Sequence, residues 1–206
     1  VFGSAATGAA DIAVAGVVRT IAEKVGFDVA VTARVEAIVW SIRLPRIAMA
    51  GVVGAGLAAS GAALQGLFRN PLADPGLIGV SSGAASGAVL ALVARWWFGP
   101  VLQVVPESLL VPAAAFAGGL AATWFVYRIA TRRGRTSVPT MLLAGIAVNA
   151  GAGALIGLLT YAADEAELRD VTLWTLGSVS AAGWDTVGVV ALALLAASVV
   201  VMGRAD

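Results

Sequence analysis

Cysteine and histidine are absent from this 206-residue chain. No disulfide can form within it, and neither a thiolate or imidazole zinc site nor histidine-based acid–base catalysis can be built from it. Lysine occurs once, at Lys24, outside any glycine-rich loop that could cradle nucleotide phosphates, so the chain cannot hydrolyse ATP by itself through a P-loop. Charge of either sign is scarce. Only 12% of residues are charged, against about 25% in soluble domains. The net charge of +1 comes with no basic stripe interleaved with aromatics, so nothing points to nucleic acid as a partner.

What fills the chain instead is apolar: 60% hydrophobic residues and a mean hydropathy of +0.94, the profile of a polytopic membrane protein. Five charge-free windows follow one another, over residues 47–68, 75–94, 108–127, 136–163 and 186–203, each 18 to 28 residues long. At 1.5 Å per helical residue these lengths match a hydrocarbon core of roughly 30 Å. The expected fold is all-α, a transmembrane helical bundle in which membrane lipid is the solvent.

Gly51, Gly54, Gly56, Ala59, Ser60, Gly61 and Ala62 crowd the first window. Each glycine would cost a soluble helix about 1 kcal/mol, whereas in lipid small residues let neighbouring backbones approach. Gly54 and Gly61 in this window, and Gly83 and Gly87 in the next, are read as helix-packing positions. The third window carries Pro112 near its start, where proline is harmless. The fourth contains Pro139, Gly145, Asn149, Gly151 and Gly153 and is expected to be broken or tilted, which a membrane tolerates only against protein or a water-filled cavity.

Residues 1–42 are mixed. Ile12, Val17, Val18, Ile21 and Val25 lie near helical spacing with Arg19, Glu23 and Lys24 elsewhere on the wheel, the pattern of an amphipathic helix on the membrane surface rather than a span. Arg128, Arg132, Arg133 and Arg135 fall within eight residues without an acid, which marks that connection as cytoplasmic. Parity puts Arg69 and Arg204 on the same side. The raw count of positive residues, seven outside against six inside, does not decide, so the density in the short loop carries the orientation. Ten of the twelve acids then lie outside, Asp164, Glu165, Glu167 and Asp170 among them. Residues 1–42 become an external segment, and 43–206 hold the crossings. A start at Val1 without a charged leader reads as a fragment whose first span is missing.

Several residues ask for more than packing. Arg43 and Arg46, flanking Leu44 and Pro45, either snorkel into headgroups or offer bidentate docking to acidic groups of a partner. Gln65 and Asn149 are polar groups inside apolar windows, placed either to bond across helices or to line a pathway. The turn NPLADPG combines a cap at Asp74 with Pro75 opening the next helix, and is either a tight re-entrant turn alone or also a partner contact. Trp174 and Trp184, in the acidic stretch after the fourth window, fit an aromatic belt, and that stretch is either a solvated loop or part of an outer vestibule.

The segments RLPR, SGAALQGLFRNPLADPGLIGVSSGA, LLAGIAVNA and LRDVTLWTLGS, in this order, resemble the FecCD-type permeases of bacterial ABC importers for iron chelates, haem and cobalamin. The resemblance covers essentially the whole chain and looks nearest to the haem-importing members. It implies a type II importer permease fold of ten spans, of which this chain would hold spans two to six, about half. It also implies a multi-pass subunit of the inner membrane working as a homodimer with two ATPase subunits and a periplasmic substrate-binding protein. By the same resemblance Arg43 and Arg46 receive glutamates of the binding protein, and Ser137, Val138 and Pro139 narrow the pathway on the cytoplasmic side; for NPLADPG a tight turn alone and an added contact to the ATPase stay equally open. The loop that couples to the ATPase would follow the last span here. No enzyme activity, cofactor or resident metal is implied.

The likeness of GIAVNAGAGALIGLLTYAADEAELRDVTLWTLGS to the haem-importing members makes haem the preferred cargo, with ferric siderophore next and cobalamin third; no residue separates the three by chemistry, and an apolar pathway without histidine, cysteine or intramembrane carboxylates only excludes a bare metal ion. A secondary transporter is the alternative of another class, and it would need ionisable groups inside the membrane that the five windows lack. A structural subunit without a pathway is the third.

Overall fold

The computed structural model describes residues 14–99 and 105–203; Ile12 of the amphipathic pattern and Arg204 lie outside them. The chain divides into two compact units, Val1–Ala59 with Ser178–Asp206, and Ser60–Gly177. A long helix passes from the first to the second.

In the first unit, helix α1 (Val14–Val25) buries Val17 and Thr20. Val17 meets Val39, with Ile21, Val35, Ile38, Leu44 and Ile47 packed around the pair. This is the amphipathic helix expected from the spacing of its apolar residues. The second helix, α2, begins ahead of the first charge-free window. It runs unbroken over Ala33–Phe68, so Arg43 and Arg46 lie well inside a helix rather than at its entrance. Over Ala37–Arg43 it widens into a π-helix, and the Leu44 amide bonds back five residues to the Val39 carbonyl.

Proline explains why that widening leaves a loose end. In a π register the Trp40 carbonyl would be matched by the amide of residue 45, and Pro45 has none. The Trp184 indole N–H supplies the missing donor at 2.9 Å. Trp184 opens helix α7 (Trp184–Met202), and its ring lies 5.3 Å from that of Trp40 at a tilt of 42°. Further along the same pair of helices, a Cβ on Gly56 would press on the flexible end of Leu194 at 2.9 Å.

The second unit is built around α3 (Val80–Trp97), which buries Gly83, Ser86, Ala88, Val89, Ala91, Leu92 and Val93. It is flanked by α4 (Glu107–Ala130), α5 (Val138–Ala162) and the short α6 (Glu165–Leu176). One apolar cluster joins α3 to Val111 and Val171; a second joins Ile78, Val126, Ala130, Met141 and Ala144, with Leu64 and Phe68 against it. The crossing of α3 on α4 is set by glycine. A Cβ on Gly83 would lie 2.7 Å from the Gly118 carbonyl oxygen, and one on Gly87 would run into the Ala114 carbonyl.

Among the described residues four helices are long and apolar enough to cross a membrane: Ala33–Phe68, Ser108–Ala130, Val138–Ala162 and Trp184–Met202. The fifth expected crossing is α3. Its first residues, Pro75–Ile78, are spent on a 3₁₀ turn, so the helix starts at Val80 and takes Arg95, Trp96 and Trp97 into its 18 residues. Being wrapped by α4, α5 and α6, it relies less on its own apolarity. Leu57, Phe116, Leu143 and Leu192 are more than half exposed, as side chains facing lipid or another helix would be.

In two further stretches the structure narrows the alternatives that the sequence left open. Helix α5 is neither broken nor interrupted: Pro139 sits in its first turn and Gly145 makes room for the Leu77 carbonyl instead of ending the helix. The acidic stretch after α5 is helical over Glu165–Leu176 and mostly exposed. Asp164 and Glu167 close a capping box at the start of α6, which buries Val171 and rests Trp174 on the α3 cluster. Trp174 is thus half-buried against that cluster. Departing from all-α in one place, the chain between α4 and α5 forms a hairpin of two two-residue strands, β1 (Thr131–Arg132) and β2 (Arg135–Thr136).

Gly87→Ala should force α3 from α4 and cost about 1–3 kcal/mol, read as a lower midpoint of unfolding in mixed detergent micelles. Gly54 and Gly61 have nothing within 4 Å of a Cβ. Gly54→Ala should therefore leave the midpoint within about 0.5 kcal/mol of the parent.

Candidate functional site

Arg43 and Arg46 stand three residues apart on α2, so they share one face of the helix. Arg46 is exposed, yet its Nε donates to the Ser180 carbonyl at 2.9 Å. Arg43 is half-buried and is engaged within the chain as well. The same region of α2 carries the ion pair of Lys24 with Glu36 at 2.6 Å, and the Lys24 ammonium lies 5.7 Å from the Trp40 ring centre. Trp40, Trp184 and Ser180 thus hold the arginine motif in a fixed frame. Sequence reasoning missed this frame, although Pro45 signalled that a carbonyl one turn back would need an outside donor.

The hydrogen bond to Glu36 holds the Lys24 ammonium above the ordinary lysine pKa, against a smaller opposing effect of desolvation. Because the folded value is the higher one, the contribution is complete below the ordinary lysine value and is lost as pH rises through the raised one.

The two intramembrane polar residues part company. Gln65 is exposed near the end of α2. Asn149 bonds across helices: its amide accepts from the Ser82 hydroxyl and donates to the Gly76 carbonyl at 3.1 Å. It joins α5 to the re-entrant turn and to the first turn of α3. Asp74 caps that turn through Gly76 N at 2.7 Å, and Gly79 leaves it at φ 82°, a left-handed conformation suited to glycine. Gly145, one turn before Asn149, lets the Leu77 carbonyl come close. The Gly145 and Asn149 spacing of four residues, which puts both on one helix face, was the available signal for this seat.

Ser137, Val138 and Pro139 form the start of α5. Ser137 is its N-cap, accepting from Thr140 N at 3.4 Å and from the Thr140 hydroxyl at 2.9 Å. Beyond them an apolar groove of about 730 Å³ runs between α3, α4 and α5, lined by Gly83, Ser86, Gly118, Phe125, Ala144 and Gly151 among others. The Ser86 hydroxyl is buried there without a hydrogen-bond partner. None of Gln65, Ser137, Val138, Pro139 and Asn149 lines this groove, whereas Thr140 does. Tyr161 is 91% exposed at the far end of α5. Among the described residues no three carboxylates stand close enough together to hold a metal ion.

Two outcomes test this geometry. Asn149→Leu should cost about 1–3 kcal/mol of stability by stranding the Ser82 hydroxyl and the Gly76 carbonyl; an unchanged unfolding midpoint with an altered transport rate would instead make Asn149 a lining residue. Hydrogen exchange in α1 should quicken beyond its intrinsic pH dependence only at strongly alkaline pH, and Glu36→Gln should abolish that extra step.

The model of the FecCD transport family matches residues 1–206. The hemin transport system permease protein HmuU of Yersinia pestis is 46% identical over 149 residues, which cover 72% of this chain and 43% of that protein. The cobalamin import system permease protein BtuC of Halobacterium salinarum is 46% identical over 161 residues, 78% of this chain and 40% of that protein. The chain therefore spans less than half the length of these curated relatives. Among solved structures, a chain described as an inward-facing conformation of a metal-chelate type ABC transporter superimposes with a TM-score of 0.73 at 28% identity, over 92% of this chain and 59% of that one. The helical bundle is thus that of an ABC importer permease. With a match across every residue and relatives at 46% identity, the chain belongs to the FecCD transport family.

Proposed function

We propose that this chain is part of the membrane-embedded permease subunit of an ABC importer in the bacterial inner membrane, with haem as its cargo. The reading is carried by the family match over residues 1–206 together with the likeness to a hemin permease. The subunit works as a homodimer with two ATPase subunits and a periplasmic binding protein, and the path lies between the two permease copies. Arg43 and Arg46 receive carboxylates of the binding protein, and the network through Ser180 and Trp184 supports this role by fixing α2 before docking, which lowers the ordering cost of association.

Spanning segments without carboxylate, histidine or cysteine suit a large organic chelate that must not be held tightly. Ser137, Val138 and Pro139 narrow the inner end of the path. Gln65, exposed on α2, is available to line it or to meet the second copy. Because the cobalamin relative is equally identical, cobalamin is the reading to set against haem, and a ferric siderophore is the third.

The deciding experiment is ATP-dependent uptake by the full-length subunit reconstituted with its ATPase and binding protein. Haem should accumulate and cobalamin should not; uptake without the ATPase would reject the importer reading altogether. Arg46→Glu, at an exposed position, should weaken docking of the binding protein, more at low salt than at high salt. Unaltered docking would return the residue to a headgroup anchor.

A further inference from the structure

We infer that the hairpin between α4 and α5, together with Arg69, forms a docking surface for the phosphate groups of anionic phospholipids. The inference does not depend on the importer reading. Between Glu107 and Asp164 the chain carries no acid, and its only charges are Arg128, Arg132, Arg133 and Arg135. Among the described residues none of these, nor Arg69, is paired with a carboxylate.

The backbone accepts penalties to place them. Thr131 pairs with Thr136 and Arg132 with Arg135, so two like charges face each other across the strands, an arrangement that repels unless an anion sits between or above them. The two loop residues, Arg133 at φ 53° and Gly134 at φ 75°, have the positive angles of a tight hairpin turn, where asparagine or glycine is the unstrained choice for the first position. Arg69 is held the same way, at φ 50°, in the turn that ends α2. Two non-glycine residues take left-handed conformations among the described residues, and both are arginine. Strain of this kind is retained where the side chain is wanted.

Position selects the anion. Phe68, the residue before Arg69, packs on the cluster that contains Val126, Ala130 and Met141, so the end of α2 and the hairpin lie at the same end of their unit. The hairpin starts directly after a helix able to cross a membrane and leads directly into another, so it cannot reach far from the headgroups. Arg128 lies 5.9 Å from the Trp124 ring centre, and Trp124 and Tyr127 are half-exposed or more, as interfacial aromatics are. The acid of the neighbouring turn, Asp74, has one oxygen committed to Gly76 N. Guanidinium groups match phosphate oxygens bidentately and keep their charge at any relevant pH. A bilayer containing phosphatidylglycerol supplies such phosphates at this depth, whereas an acidic protein surface would have to reach a loop two residues long.

The test uses the full chain reconstituted into an equal mixture of phosphatidylcholine and phosphatidylglycerol, extracted in detergent and read by native mass spectrometry for retained lipid. Wild type should retain phosphatidylglycerol preferentially, and the preference should weaken roughly fivefold for each arginine removed in Arg132→Gln, Arg133→Asn and Arg135→Gln. Arg133→Asn relieves the left-handed strain, so its loss of lipid cannot be blamed on misfolding. Arg169→Gln, on exposed α6, removes one charge elsewhere and should change nothing. Equal retention in wild type and hairpin variants overturns the inference. So does an equal loss with Arg169→Gln, or hairpin variants that keep their lipid but no longer bind a soluble partner protein.

Discussion

A backbone carbonyl or amide without a partner costs several kcal/mol inside hydrocarbon, where no water can replace it. Nearly every specific contact in this chain answers that constraint. Pro45 removes a donor from α2, the helix widens to a π register, and the Trp40 carbonyl left over is met by the Trp184 indole. The re-entrant turn exposes the Gly76 carbonyl, and the Asn149 amide reaches across from α5 to take it. At the end of α2 the Asn70 amide returns to the Gln65 carbonyl, and at the start of α5 Ser137 caps the first turn. Polar side chains in such a bundle serve the backbone first.

Close approach is the second requirement, and it follows from the same solvent. Lipid tails are as apolar as leucine, so helices gain little from hiding leucine from lipid and much from dispersion contact between backbones. Glycine is therefore spent where helices meet: Gly83 and Gly87 against Gly118 and Ala114, and Gly145 against Leu77. Among the described residues nothing lies within 4 Å of a Cβ at Gly51, Gly54 or Gly61 in the middle of α2, and such a bare small-residue face is what a helix in another subunit could approach.

These two requirements leave the arginines away from the close-packed helix crossings. Arg43 and Arg46 stand on a stretch of α2 stiffened by its partners. Arg69 and the hairpin arginines stand at the opposite sort of place, on strained turns bordering spans. Neither group lies in the apolar groove between α3, α4 and α5, which keeps charge out of the bundle interior.

Much of this architecture is legible in the amino-acid sequence by itself. Composition and charge-free windows determine a membrane bundle, since windows of this length have no other stable solvent, and an isolated proline or turn motif such as NPLADPG marks where helices begin. Four windows recur as helices able to span, three with ends shifted by a few residues and the first extended back to Ala33, and α1 follows from its apolar spacing. What periodicity cannot carry is which face meets which neighbour, because these helices are apolar all round. That Asn149 ties α5 to a turn, that Gly54 and Gly61 are open while Gly83 and Gly87 are closed, that α2 runs through Arg43, and that Trp174 rests on the α3 cluster were all decided by tertiary structure. Each depends on a partner distant in sequence, and only folding brings donor to acceptor or backbone to backbone.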